Sequence, residues 1–243
     1  MNTGLYLHVP FCRARCSYCD FNTYVGLEDQ FEPYTRALEQ EIRLAARESE
    51  KASKWEGERI TPSPLHPFTS SSQQANTLFF GGGTPSLLSP AQLGRLIDAC
   101  RETFDMPADA EITAECNPGT GTLDYLRELR ERGVNRLSFG AQSANPDELK
   151  LLGREHDWQQ VERAIRNARE AGFTNLNFDL IFGLPWQSLD SWQRTVEAAL
   201  ALDPDHISLY ALTIEGGTPL YAWTRRGEGP FPDPDLAAGM YDH

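Results

Sequence analysis

The chain has 243 residues, of which 40% are hydrophobic and 23% are charged, and this balance is ordinary for one large globular domain with a sizeable core. A formal net charge of -13 lacks the basic surface that a nucleic acid needs, so we expect no DNA or RNA partner. No run of about 18 apolar residues occurs, so we predict no membrane span.

Apolar, strand-like runs alternate along the chain with helix-like segments. The strands are predicted at 4–9, 76–81, 110–116, 135–140, 175–182 and 206–213. The helices are predicted at 31–49, 90–104, 121–132, 146–171 with a break near His156, and 188–202. Strands that alternate with helices predict a parallel sheet. A complete eight-stranded barrel usually needs about 250 residues without insertions. We therefore predict an α/β fold in which residues 1–213 form a partial barrel of six βα units.

Two segments depart from this alternation. Residues 50–75 are polar and rich in proline and serine, which is typical of a surface loop or a disordered insertion. Residues 214–243 include a stretch rich in glycine and proline, after which a helix is predicted to begin near Asp235. We interpret 214–243 as the start of a C-terminal region that is truncated in this sequence.

Three cysteines follow the first predicted strand. Cys12, Cys16 and Cys19 come after the apolar run 5–11, with three and then two residues between them. Thiolates are the usual protein ligands of iron–sulfur clusters, and three of them leave one iron of a cubic cluster open. A structural zinc site usually has four ligands, so a zinc module is the plainer alternative. The chain has five cysteines with three clustered, which is no disulfide framework and predicts a reducing cytoplasm.

Glycines and acids stand at or near the ends of several predicted strands. Gly82, Gly83 and Thr84 follow the second strand without the lysine of a phosphate loop, and exposed backbone amides there can bind a carboxylate. The alternative is a plain tight turn. Glu115 closes the third strand, at the end of a barrel where sites form. Asp179 lies inside an apolar strand, and a buried carboxylate is costly unless it is paired, so we expect it to have a partner inside the barrel.

The stretch 8–21 resembles the cluster loop of radical S-adenosylmethionine (SAM) proteins, in particular that of the oxygen-independent coproporphyrinogen III oxidase-like family and its heme chaperone branch. The resemblance implies that Cys12, Cys16 and Cys19 hold a [4Fe–4S] cluster and that SAM binds its open iron. It also implies SAM contacts at Tyr6, Tyr18, Gly82, Gly83, Thr84, Glu115, Gln142, Arg154 and Asp179.

Two departures favour the heme chaperone branch. The oxidases carry a further cysteine where this chain has Phe21, and they have an N-terminal extension before the residue that matches Tyr6. The resemblance therefore implies a protein that binds heme as cargo and passes it to acceptor proteins at the membrane, although the family's heme motif is missing from these residues. Two alternatives stay open: a coproporphyrinogen III oxidase of porphyrin biosynthesis, and a radical methyltransferase that uses two SAM molecules.

Several further residues have two interpretations. Arg13 and Arg15 either offset the charge of the cluster or face solvent. Cys116 ends a strand and is more often core than site. His156 and His206 are interpreted as structural.

Overall fold

The computed structural model describes residues 3–56, 74–229, 231 and 233–242. Its strands are β1 (Thr3–Val9), β2 (Phe11–Cys12), β3 (Tyr24–Val25), β4 (Ala75–Gly82), β5 (Glu111–Cys116), β6 (Arg136–Gln142), β7 (Leu176–Phe182) and β8 (His206–Ala211). Its α-helices are α1 (Phe31–Glu56), α2 (Pro90–Thr103), α3 (Leu123–Glu131), α4 (Pro146–Leu151), α5 (Trp158–Glu170), α6 (Leu189–Leu200), α7 (Pro219–Arg225) and α8 (Pro234–Tyr241).

Six strands form one sheet in the order β1-β4-β5-β6-β7-β8, and every neighbouring pair is parallel. The sheet does not close, because β1 and β8 remain its two edges. Helices connect the successive strands, so the predicted α/β partial barrel of six strands is confirmed. The carboxyl ends of all six strands lie at the same end of this barrel, where sites form in such folds.

The helices begin where the sequence offers capping side chains. The predicted break near His156 separates α4 from α5, and Asp157 caps α5 by accepting a hydrogen bond from the Gln160 amide at 2.8 Å. Gly172, with a φ of 91°, stands just beyond the end of α5. Ser89 likewise begins α2 in a capping box with Gln92.

The apolar core lies between the sheet and its helices. Phe80 on β4, Phe139 on β6 and Phe178 on β7 are fully buried in it. Side chains alternate between the two faces of a strand, so the residues between these phenylalanines face the interior of the barrel. Polar residues occupy much of that inner face, among them Glu115 and Asp179. The alternation therefore separates a dry outer core from a polar interior.

Some boundaries differ from the predicted ones. Helix α1 continues to Glu56, past its predicted end at residue 49, and β4 begins at Ala75, so the predicted insertion at 50–75 is helical in its first part. Residues 57–73 of that insertion lie outside the described residues. Strand β8 ends at Ala211 instead of 213, and the helix α7 was not predicted. None of the helices in the described part of the chain combines the length and apolarity that crossing a bilayer requires.

Candidate functional site

The cysteine loop is held by pairing at its base and by a contact with α4. Strand β2 pairs with β3 and thereby closes the loop. Within the loop, the Ser17 amide donates to the Leu152 carbonyl at 3.0 Å and its hydroxyl to the Leu151 carbonyl at 2.6 Å. These bonds connect the loop to the end of α4 across the mouth of the barrel.

A cavity of about 530 Å³ lies beneath this loop at the carboxyl ends of the strands. The free, half-buried thiols of Cys12, Cys16 and Cys19 all line it. The other predicted site residues that line it are Tyr18, Gly82, Gly83, Thr84, Glu115, Gln142, Arg154 and Asp179. The structure therefore brings together residues from the cysteine loop and four strands.

Tyr6 is the one predicted contact that does not line the cavity. It lies on β1 with its ring 56% exposed and stacked on Phe79, at a centroid distance of 6.0 Å. Burial and the nearby charge of Glu115 raise the pKa of its phenol. Tyr6 therefore lies on the edge strand near Glu115, and its contact with SAM stays a prediction.

Two glycines at the end of β4 allow a close approach to the neighbouring β1 and to the cysteine loop. A Cβ on Gly83 would lie 2.5 Å from the Phe11 carbonyl oxygen and 3.0 Å from the Cys12 sulfur. Gly82 has a φ of 115°, and a Cβ there would lie 2.5 Å from the ring of His8. A larger residue at Gly83 would push the cysteine loop away from β4, and one at Gly82 would displace the ring of His8 on β1.

The backbone amides of this glycine turn already have partners inside the protein. The Gly83 amide donates to the Val9 carbonyl at 2.8 Å, and the Thr84 amide donates to the Phe11 carbonyl at 2.7 Å. The Gly82 amide donates to the Glu115 carboxylate at 3.1 Å. The contribution of the turn that the structure shows is close approach, and the contact of these residues with SAM stays a prediction.

Two partly buried acids, Glu115 on β5 and Asp179 on β7, face the cavity. Burial and the charge of Asp179 raise the pKa of Glu115 to about 7. Burial also raises the pKa of Asp179, although it accepts hydrogen bonds from Ser138 at 2.8 Å and from Asn177 at 2.9 Å. These two donors confirm the predicted partners inside the barrel. Acids that disfavour each other's ionised form are stabilised by a cation, so this wall suits a positively charged ligand.

Arg154 connects the cysteine loop to the end of β6. One guanidinium nitrogen donates to the Cys16 sulfur at 3.4 Å, and the other donates to the Gly140 carbonyl at 3.0 Å. The register of β6 shifts between Gly140 and Gln142, and Gln142 has a left-handed φ of 66°. A strained residue beside a cavity is common at functional sites.

Buried polar atoms without a partner cluster around the cavity. Four side-chain atoms of the described residues are buried without a hydrogen bond. Three of them, the Thr23 hydroxyl, the Arg154 Nε and the His156 Nδ1, belong to residues that line the cavity, and the fourth is the Asn76 Oδ1. Leaving such groups unpaired costs free energy, so their concentration fits a bound group that supplies partners. Three thiols, a glycine cradle and these atoms together fit a [4Fe–4S] cluster with a polar ligand beside it.

The arrangement of the ligands also bears on the kind of metal centre. In the part of the chain that the structure describes, no three His, Cys, Asp or Glu side chains converge as the ligands of a single ion do. The cysteines of a cubic cluster each bind a different iron, so they need not converge.

Sequence reasoning did not select three residues that shape this site. Ser138 supports Asp179, Thr23 approaches the cysteine sulfurs, and His156 donates from Nε2 to the Ala141 carbonyl at 3.1 Å. A serine that faces inward on a strand was a detectable signal for the first. No local pattern marks the other two, since their roles depend on distant segments.

Comparisons with known proteins agree with this geometry. Residues 70–199 match the model of the Radical SAM superfamily. The heme chaperone HemW of Mycobacterium tuberculosis is 38% identical over 242 residues, which cover 98% of this chain and 57% of that protein. The mitochondrial radical S-adenosyl methionine domain-containing protein 1 of Mus musculus is 38% identical over 238 residues, which cover 98% of this chain and 49% of that protein.

A solved structure gives the same fold. The coproporphyrinogen III oxidase HemN of Escherichia coli, a radical SAM enzyme, matches with a TM-score of 0.77 and 33% identity over 99% of this chain and 51% of that chain. The chain thus spans about half the length of the curated relatives that it matches.

Proposed function

The chain belongs to the radical SAM superfamily, and on that basis we propose that its cavity binds a [4Fe–4S] cluster through Cys12, Cys16 and Cys19, with S-adenosylmethionine beside it. One observation carries the proposal: three free, half-buried thiols and two acids of raised pKa line the same cavity. When bound, a reduced cluster of this kind supplies the electron that cleaves the sulfonium bond of SAM.

The residues of the chain have separate tasks in this proposal. The cysteines hold the cluster, and Gly83 allows the end of β4 to lie close to Cys12. Glu115 and Asp179 supply negative charge for the cationic ligand. Polar contacts to the ligand come from four further residues that line the same cavity, namely Tyr18, Thr84, Gln142 and Arg154. Tyr6 lies near Glu115 on β1 and is proposed as a further contact. The protein thereby orients the cofactors and limits side reactions, as is usual when a cofactor carries the chemistry.

We further propose that the whole protein is a heme chaperone, which binds heme or a related porphyrin and passes it to acceptor proteins at the membrane. The curated relatives named as heme chaperones support this proposal, as does Phe21 at the position where the oxidases have a further cysteine. Five free cysteines suit a reducing compartment, and we propose the cytoplasm.

A second function is favoured by one specific observation. The match to the oxidase HemN covers 99% of this chain, so the same barrel also suits oxidation of coproporphyrinogen III. Fold alone does not decide between the two activities.

Metal analysis after anaerobic reconstitution tests the cluster. We expect about four iron and four sulfide per chain, and loss of both in Cys12→Ala, Cys16→Ala or Cys19→Ala. Cys100→Ala is the matched control, because Cys100 is buried in the core and should leave the iron content unchanged. One zinc per chain, or full iron content in a ligand variant, would refute the cluster.

Product analysis separates chaperone from oxidase. The reconstituted whole protein is incubated anaerobically with SAM, a reductant and coproporphyrinogen III, and in parallel is titrated with heme while its absorption spectrum is followed. A heme chaperone gives a saturable heme spectrum and no protoporphyrinogen IX. Formation of protoporphyrinogen IX would establish the oxidase, and S-adenosylhomocysteine as a product would indicate a methyltransferase.

A further inference from the structure

The sulfurs of the three cysteines differ in the hydrogen-bond donors beside them. Arg154 donates to Cys16 at 3.4 Å, and the Thr84 hydroxyl donates to Cys12 at 3.7 Å. Cys19 receives neither of these bonds. Besides the backbone of Phe21 and the charge of Arg15, the group that acts on Cys19 as a donor is the hydroxyl of Thr23, which also approaches Cys12.

The Thr23 hydroxyl is buried, lies beside two sulfurs, and makes no hydrogen bond of normal geometry among the described residues. Its backbone is held in place, because the adjacent Tyr24 donates to the Pro10 carbonyl at 2.7 Å and pairs with Phe11. A buried hydroxyl without a partner is costly, so an acceptor at this position stabilises the site.

A cluster-bound thiolate is a stronger acceptor than a thiol, since hydrogen bonds to charged groups are roughly twice as strong as neutral ones. Reduction adds negative charge to the cluster and its sulfurs. A donor therefore stabilises the reduced form more than the oxidised form, and hydrogen bonds to the sulfurs are among the factors that set cluster potentials.

We propose that Thr23 donates a hydrogen bond to the cluster thiolate of Cys19 and thereby raises the reduction potential of the cluster. This inference rests on the proposed function, because it requires the cluster. Thr23 is a positioning and tuning residue, distinct from the ligands, and it acts on the cysteine that Arg154 and Thr84 do not contact.

The test is the midpoint potential of the reconstituted cluster, followed by electron paramagnetic resonance in an anaerobic redox titration without SAM. In Thr23→Val, which has the same shape without the hydroxyl, we expect the ratio of reduced to oxidised cluster at a fixed potential to fall about tenfold, equal to about 59 mV. Thr23→Ser keeps the hydroxyl and should stay close to the wild type. Thr174→Val is the matched control, because Thr174 is exposed and does not line the cavity.

The outcomes distinguish the inference from the function on which it rests. A cluster-loaded Thr23→Val with the wild-type potential would overturn the role of Thr23 and leave the proposed function intact. A wild-type chain that binds no cluster would overturn both. If Thr23→Val takes up no iron, Thr23→Ala carries the same expectation and the same refutation.

Discussion

Two regions of the protein differ in how many hydrogen-bond donors surround their carboxylates. Glu148 on α4 is 6% exposed and accepts hydrogen bonds from four side chains, namely Ser143 at 2.5 Å, Ser191 at 2.6 Å, Gln187 at 3.0 Å and Asn145 at 3.5 Å. Glu115, at the floor of the cavity, has a single donor, the Gly82 amide at 3.1 Å. The first acid is satisfied by the protein, and the second is left for a ligand.

This contrast shows how a binding wall differs from a structural polar cluster. The donors around Glu148 come from the loop after β6, from the loop before α6 and from α6 itself, so they join these segments. Around the cavity, several polar atoms lack partners and the acids have raised pKa values. Buried polar groups normally have hydrogen-bond partners, so a group of polar atoms without partners indicates a place for a ligand.

The largest expected effect comes from removing Glu148, the shared acceptor of these four hydrogen-bond donors. Glu148→Ala leaves two hydroxyls and two amides without their acceptor, so we expect the free energy of unfolding to fall by about 3–5 kcal/mol. Urea denaturation measures it. Asp147→Ala, on the same helix but exposed, is the control and should cost below about 1 kcal/mol. An equal effect of the two variants would show that the cluster around Glu148 does not stabilise the fold.

Glu115 in the cavity should affect stability in the opposite way from Glu148, because its ionised form destabilises the cofactor-free protein. Glu115 has a folded-state pKa of about 7 against an ordinary value of 4.5, so the folded protein binds this proton more tightly than the unfolded chain. Its contribution is favourable at low pH, and stability of the cofactor-free protein falls as pH rises from about 4.5 to 7, by on the order of 2–3 kcal/mol.

Urea denaturation between pH 4.5 and 8 checks this window. Glu115→Gln should flatten the profile and be the more stable protein at pH 8, whereas Glu111→Gln, at the exposed start of the same strand, should follow the wild type. A wild-type profile that rises over this range would contradict the assignment.

The substitution Glu115→Gln should also weaken the binding of SAM. Because Glu115→Gln removes negative charge from the cavity wall, we expect SAM to bind the reconstituted protein 10- to 100-fold more weakly, about 1.4–2.8 kcal/mol. Equilibrium dialysis under anaerobic conditions measures the affinity. Glu111→Gln serves again as the control, and unchanged affinity in Glu115→Gln would remove the acid from the ligand site.

The smallest expected effect concerns the close approach of β4 to the cysteine loop at Gly83. Gly83→Ala places a Cβ against the Phe11 carbonyl and the Cys12 sulfur, so we expect a loss of about 1–2 kcal/mol in stability and a reduced iron content after reconstitution. Gly216→Ala meets no atom within 4 Å and should change neither. Full cluster occupancy in Gly83→Ala would show that the cradle tolerates the extra atom.

Much of the architecture was predictable because it depends on residues close together in the chain. Alternating apolar runs predicted all six strands of the sheet, and the break at His156 and the cap at Asp157 are local signals. The boundaries that differed, such as the extension of α1 to Glu56, lie where a polar helical segment resembles a loop in composition.

The cavity itself depended on contacts that no local pattern encodes. Arg154 meets Cys16 across 138 positions of sequence, and Ser17 meets Leu151 across 134. The amides of the glycine turn were expected to be free, and only the packed structure shows that Val9, Phe11 and Glu115 accept from them.

The amino-acid sequence alone determined the periodic strands and helices and the spacing of Cys12, Cys16 and Cys19, since backbone geometry and ligand spacing within one loop are properties of neighbouring residues. Tertiary structure decided which acids are satisfied and which await a ligand, and which hydroxyl approaches the cysteine sulfurs. These outcomes depend on desolvation and on hydrogen bonds between segments that meet only when the sheet is assembled.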